Sequence, residues 1–246
     1  SRGVFDVYDI AAMLVIYYRT LQRKPDEEFG QMFIDEAQDF GAIVYYALRT
    51  VLPDCFFTIM GDVSQNVNYE CGMNEWHDMR QKIFGGSTDS FRVLAKSYRN
   101  TIEISDFAGK ILSSASKGAY KIEPVIRHGE PVHFVESISM EEAAGLSVEI
   151  LADMRQKGYE TMAVICFSDE DRESVTKRLG RQIALTDSDK SGFSKGVMVL
   201  TVPKGLEFDC VLLWKPDLRG YKENPKLAKL LYVAATRALH ELFVVQ

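Results

Sequence analysis

An α/β fold with parallel sheets flanked by helices is the class this sequence predicts, and three observations carry the prediction. Strand-length apolar runs alternate along the chain with stretches of helical periodicity, the pattern of βαβ units. The 246 residues can bury a sizeable core as one large or two small domains. A composition of 46% hydrophobic and 26% charged residues is ordinary for a globular protein.

Taken in order, residues 4–23 place Val7, Ile10, Met13, Leu14 and Tyr17 at helical spacing. A polar break runs from Pro25 to Gly30. Residues 32–34 read as a buried strand, and 43–52 as a helix stopped by Pro53. Residues 56–60 form a second apolar strand that runs into Gly61-Asp62. The Gly85-Gly86-Ser87-Thr88 connection is the expected boundary between domains at 1–88 and 89–246. Strands are then expected at 91–94, 132–135, 162–167, 197–200, 210–214 and 242–245. Helices are expected at 102–112, 141–157, 172–179 and 226–238. The sequence carries neither an internal repeat nor a low-complexity tract.

Charge and cysteine usage narrow the function. The net charge of −6 and pI of about 5.4 are not the footprint of a strongly nucleic-acid-binding domain, although a local basic groove stays compatible with them. Cys55, Cys71, Cys166 and Cys210 show no metal-type spacing. All but Cys71 sit in apolar runs and read as reduced core residues, which fits a cytoplasmic location. No apolar run reaches membrane-spanning length, since Arg19 and Arg23 interrupt the most apolar N-terminal stretch. Nothing at the start resembles a signal peptide, and Ser1 in place of Met suggests a piece of a longer protein.

The densest chemistry lies in Met32-Phe33-Ile34-Asp35-Glu36-Ala37-Gln38-Asp39. An apolar run ends in two carboxylates, an amide and a third carboxylate. Strand alternation would send Asp35 and Glu36 to opposite sides. One could hold Mg²⁺ and the other take a proton from an attacking water, as NTP hydrolysis needs. Gly61-Asp62-Val63-Ser64-Gln65 follows the next strand; its Gln could sense a γ-phosphate, or the segment could be a polar turn. In Ser97-Tyr98-Arg99-Asn100 a Tyr can stack on a base and an Arg reach a phosphate, or both can mark a helix entry. Lys204-Gly205-Leu206-Glu207-Phe208-Asp209 precedes an apolar strand. Leu231-Tyr232-Val233-Ala234-Ala235-Thr236-Arg237-Ala238 places an Arg on an expected helix, as an arginine finger or a solvated charge.

In this order, the segments DEAQD, GDVSQ, SYRN, KGLEFD and YVAATRA closely resemble motifs II to VI of superfamily 1 helicases of the UvrD/Rep/PcrA type. The resemblance implies two RecA-like, P-loop NTPase-type motor domains, the first partial and the second complete, that clamp ATP and move on single-stranded or partly duplex DNA. It assigns Asp35 to Mg²⁺, Glu36 to the catalytic base and Gln65 to coupling the γ-phosphate to the strand-binding surface. It further assigns Tyr98 to the adenine, Arg99 to the γ-phosphate, Gly205 and Glu207 to the nucleotide, with Glu207 at the sugar, and Arg237 to the finger.

The sequence also departs from that pattern. It contains no GxxxxGK[ST] loop, which the family places upstream of motif II; this chain alone is therefore expected to be catalytically inert. Val199 and Thr201 stand where motif V usually shows Thr and His. The base-stacking aromatic after motif III is displaced, with Tyr69 and Trp76 as candidates that fit a core or surface role equally well. Only about 100 residues separate SYRN from KGLEFD, leaving no room for a large inserted domain. That points to the HelD-like (helicase IV-like) branch, some members of which act on RNA polymerase. RNA polymerase is thus a second implied partner. The oligomeric state is not readable.

Overall fold

Every strand pair in the computed structural model is parallel. The structure describes residues 4–21, 29–68, 70–85, 90–94, 96–115, 123–124, 127–186 and 195–246. Tyr69 and residues 86–88 of the expected domain junction lie outside that set. The chain divides into two compact units, Ser1–Arg92 and Val93–Gln246.

In the first unit, helix α1 (Val7–Leu21) packs along α2 (Ala42–Val51). Strands β1 (Gln31–Ile34) and β2 (Phe56–Ile59) pair in register, Gln31 opposite Phe56 and Ile34 opposite Ile59. Helix α3 (His77–Lys82) closes the unit and carries no signal recognised in the sequence. The core gathers Ala37, Tyr45, Val63, Met73, Trp76 and Met79, with Ile34 and Ile59 against it. Strand β1 is not buried as expected. Alternation turns Ile34 inward, while Phe33 is 66% exposed and Phe56 on β2 is 77% exposed. Only one face of this two-stranded sheet is covered.

The second unit contains β3 (Lys96–Ser97), α4 (Ile102–Ala115), β4 (Glu123–Pro124), β5 (His133–Val135), α5 (Met140–Gln156) and β6 (Thr161–Cys166). It continues with α6 (Asp169–Leu179), β7 (Gly196–Thr201), β8 (Phe208–Trp214), α7 (Pro225–Ala235) and β9 (Ala238–Val245). Five strands form one sheet in the order β5-β9-β8-β6-β7, and β3 pairs separately with β4. Ala163, Val164 and Ile165 of β6 and Val211, Leu212 and Leu213 of β8 are fully buried. Such unbroken burial marks interior strands of a parallel sheet covered on both faces. Burial also pushes the Cys166 thiol up to about 12 and the Cys210 thiol upward, so both stay protonated and inert.

Caps fix where helices begin. The Ser139 hydroxyl accepts from the Glu142 amide at 3.1 Å, and the Ser168 hydroxyl from the Asp171 amide at 3.1 Å. The Ser168 cap explains why α6 starts before the expected residue 172. Asn224 caps α7 through the Leu227 amide at 3.2 Å, with Pro225 in the first turn.

Two expectations change. Residues 91–94 form no strand; β3 lies just beyond, at Lys96–Ser97. The last helix stops at Ala235 and the last strand starts at Ala238, so Arg237 sits in the intervening turn rather than on a helix. That turn is held by the Asn100 side-chain amide, which donates to the carbonyls of Thr236 and Ala238, and by the Phe208 amide, which donates to the Arg237 carbonyl.

Candidate functional site

In the first unit the carboxylates sit where the chain leaves β1. The strand ends at Ile34, so alternation no longer governs Asp35 and Glu36. Glu36 takes a left-handed conformation instead, with φ of 50° and ψ of 37°. A non-glycine residue there costs about 1–3 kcal/mol and persists only where its surroundings enforce it. Here the chain keeps hold of the end of β2 with one residue to spare, because the Met60 amide donates to the Ile34 carbonyl at 2.8 Å and the Ala37 amide donates to the Met60 carbonyl at 2.9 Å. The Glu36 amide donates to Asp35 Oδ1 at 2.8 Å, which orients the Asp35 carboxylate; both side chains face outward.

Gln38, only 2% exposed, bridges this turn to the next motif. Its Nε2 donates to Glu36 Oε2 at 2.6 Å, and its Oε1 accepts the Asp62 amide at 2.9 Å. Asp62 in turn accepts from the Ser64 amide at 2.9 Å and from Gln65 Nε2 at 3.0 Å. A Cβ added at Gly61 would collide with Gln38 Oε1 and lie 2.9 Å from the Ala37 amide nitrogen, so the glycine makes room for the bridge. The Tyr45 hydroxyl donates to the Ala37 carbonyl from the core.

Three motifs converge in the second unit. Arg99 Nε lies 2.7 Å from Glu207 Oε1, both side chains being partly exposed. Such a pair contributes about 0–1 kcal/mol, so it can exchange for a ligand without unfolding the site. Tyr98 beside it is 70% exposed. Arg237 is 2% exposed; its Nε donates to the Val233 carbonyl at 3.1 Å and Nη1 to the Leu206 carbonyl at 3.4 Å. It is therefore a buried guanidinium lying against the backbone of its own unit. Gly205, at φ of 67°, supplies the turn between Lys204 and Leu206 that a side chain would strain.

Asp209 closes the segment. Burial opposes its ionisation, yet the Thr161 amide and hydroxyl and the Glu160 amide together hold its carboxyl below the usual range.

The sequence-predicted residues thus fall into two sets. Asp35, Glu36 and Gln65 share the first unit, while Tyr98, Arg99, Gly205, Glu207 and Arg237 share the second. Trp76, a candidate for base stacking, belongs to the first unit's core at 8% exposure. Sequence reading missed Gln38 and Asn100, although each lies inside a motif it had singled out. An amide among carboxylates and an Asn beside an Arg were the available signals. Among the described residues no group of three or more His, Cys, Asp or Glu side chains could by itself hold a metal, and no helix is long and apolar enough to cross a membrane.

Against known proteins, residues 198–245, which span KGLEFD and YVAATRA, match the UvrD-like helicase C-terminal domain family. This part of the chain is helicase-like. Among solved structures, the C-terminal domain of a possible DNA helicase from Lactobacillus plantarum WCFS1 shares 30% identity, over 61% of this chain and 86% of that one, with a TM-score of 0.48. The PRRSV helicase shares 18% identity with a TM-score of 0.48, over 91% of this chain and 36% of its own. The arterivirus nonstructural protein 10 helicase, solved with DNA, shares 17% identity with a TM-score of 0.45, over 91% of this chain and 40% of its own. The chain thus spans well under half the length of either viral helicase. Comparison with curated proteins gives no match.

Proposed function

We propose that the chain is the C-terminal motor portion of an ATP-dependent superfamily 1 DNA helicase or translocase, which couples hydrolysis to movement on single-stranded or partly duplex DNA. One observation carries this reading. The segment similar to the UvrD-like C-terminal domain holds Glu207 and Arg237, and the fold brings Arg99, more than 100 positions upstream of Glu207, within 2.7 Å of that carboxylate. Residues scattered in sequence converge on the very motifs that the family match covers.

In this reading Glu36 takes the proton of the attacking water from its left-handed turn at the end of β1. Asp35, an exposed carboxylate whose Oδ1 accepts the Glu36 amide, is the oxygen ligand this reading gives to a hard cation. Mg²⁺ there would neutralise phosphate charge. Tyr98 offers an exposed ring to the adenine. Glu207 takes the sugar, and Gly205 lets the backbone pass close to the nucleotide. Arg99 leaves Glu207 for the γ-phosphate, and Arg237 supplies the second positive charge in the transition state. Gln65, tied to Asp62, reports the γ-phosphate to the DNA-binding surface.

The given sequence contains no GxxxxGK[ST] phosphate cradle, so in this reading turnover requires a longer parent chain that supplies one. The test is DNA-stimulated ATP hydrolysis by that parent. Glu36→Gln should lower turnover by at least about 10²-fold, the range expected for a lost general base. Unchanged turnover would overturn the assignment.

A second reading, the motor of a HelD-like factor acting on RNA polymerase, has one observation in its favour. Between Asn100 and Lys204 the described elements α4, β4, β5, α5, β6, α6 and β7 all belong to the second unit. Polymerase release without strand separation would select this reading over the first.

A further inference from the structure

Glu36 and Gln65 lie in separate motifs, yet one side chain joins their segments, and no role has so far been given to it. Gln38 donates to Glu36 Oε2 at 2.6 Å and accepts the Asp62 amide at 2.9 Å, using one amide group for both. It is buried to 2% exposure. Its own carbonyl accepts the Met73 amide at 2.8 Å, so the backbone is pinned as well as the side chain. Downstream, Asp62 Oδ2 accepts from Gln65 Nε2 at 3.0 Å, which completes a path from carboxylate to amide to loop to amide.

We propose that Gln38 is the positioning residue that couples the Glu36 carboxylate to the Gly61–Gln65 loop, so that a displacement of the loop by nucleotide is felt as a reorientation of the catalytic base. The mechanism follows from the donor and acceptor inventory. A primary amide presents its two NH groups on one side and its oxygen on the other. If Asp62 moves, Gln38 cannot keep both bonds without rotating, and rotation withdraws the donor from Glu36. The buried amide cannot turn to water for a substitute, so breaking either bond is costly. Gly61 belongs to the same device: any side chain there would occupy the space of Gln38 Oε1.

The catalytic half of this proposal rests on the ATPase reading above, whereas the connection itself can be tested without it. Two variants separate the two bonds. Gln38→Glu keeps an oxygen for the Asp62 amide but replaces the donor to Glu36 with a second carboxylate. Gln38→Leu removes both bonds. Amide hydrogen exchange on this chain should show the Asp62 amide exchanging about tenfold faster in Gln38→Leu and within about threefold of wild type in Gln38→Glu. Unchanged protection in Gln38→Leu would overturn the connection.

In the longer parent, both variants should lower kcat by about tenfold or more while leaving the KM for ATP within about twofold, since orientation and not binding is lost. A purely structural Gln38 would change kcat and the KM for ATP together, and that outcome, or wild-type kcat in both variants, would overturn the proposal. If wild-type and Glu36→Gln parents turn over ATP equally, the ATPase reading fails and the catalytic half fails with it. The exchange experiment then still decides whether the two segments are joined through Gln38.

Discussion

The second unit covers β6 and β8 on both faces, whereas the first leaves Phe33 and Phe56 of its two-stranded sheet in solvent. The contrast extends to the functional residues. Arg237 and Asn100 are buried and bond to backbone carbonyls around the α7–β9 turn, so that turn is an extension of the core beside it. Asp35 and Glu36 stand on a sheet with one bare face and are held by a side-chain amide and a strained backbone. Damage to the second unit's site should therefore register as lost stability. Damage to the first unit's site should register mainly as lost geometry.

The chain has two tryptophans, Trp76 in the first unit and Trp214 in the second, so each unit can be followed separately in a Trp76→Phe or Trp214→Phe background. The largest effect expected is from Leu212→Ala, which empties a fully buried position in β8 and should cost about 2–5 kcal/mol. A urea midpoint shift seen by Trp214 but not by Trp76 would sharpen the comparison; an equal shift at both would break it. Asn100→Ala leaves the Thr236 and Ala238 carbonyls without their donor and should cost about 1–3 kcal/mol on the same probe. Wild-type stability would show that the turn does not need its anchor.

A pH effect is expected from Asp209, whose folded-state carboxyl is held below its unfolded value. Stability from such a group is present above the unfolded value of about 4 and is lost as pH falls through the depressed folded value. Asp209→Asn should therefore flatten the loss of second-unit stability below about pH 4; an unchanged acid slope would refute the assignment. The smallest effect should come from Phe33→Ser, within about 0.5 kcal/mol on the Trp76 probe, because the ring is mostly exposed already. A larger loss would mean that the bare face is not bare in solution.

Much of the fold was legible because period and punctuation agreed. The expected strand at 162–167 and helix at 141–157 differ by a residue from β6 and α5, where unbroken apolar runs and a Ser cap leave little ambiguity. The reading failed where tertiary bonds override local preference. YVAATRA looks helical throughout, and only Asn100 and Phe208, distant in sequence, turn its last residues into the next strand. Residues 32–34 are less buried than their apolar character suggests, because a three-residue apolar run cannot reveal how many faces its sheet covers. The candidate residues could be named from motif order, yet Gln38 could not be singled out, since its role lies in two bonds to groups 2 and 24 positions away.

The strand order β5-β9-β8-β6-β7 has a kinetic consequence. Strand β9, which follows the other strands of this sheet in the sequence, is an interior strand and separates β5 from β8, β6 and β7. Until β9 has been made, β5 lacks its partner in this sheet and β8 shows an open edge rich in apolar side chains. Between the synthesis of β8 and that of β9 the nascent chain therefore carries an exposed, adhesive strand. The sheet passes from incomplete to closed in one step when β9 docks, so a chain lacking β9 would be a substrate for chaperones and proteases rather than a merely weakened fold.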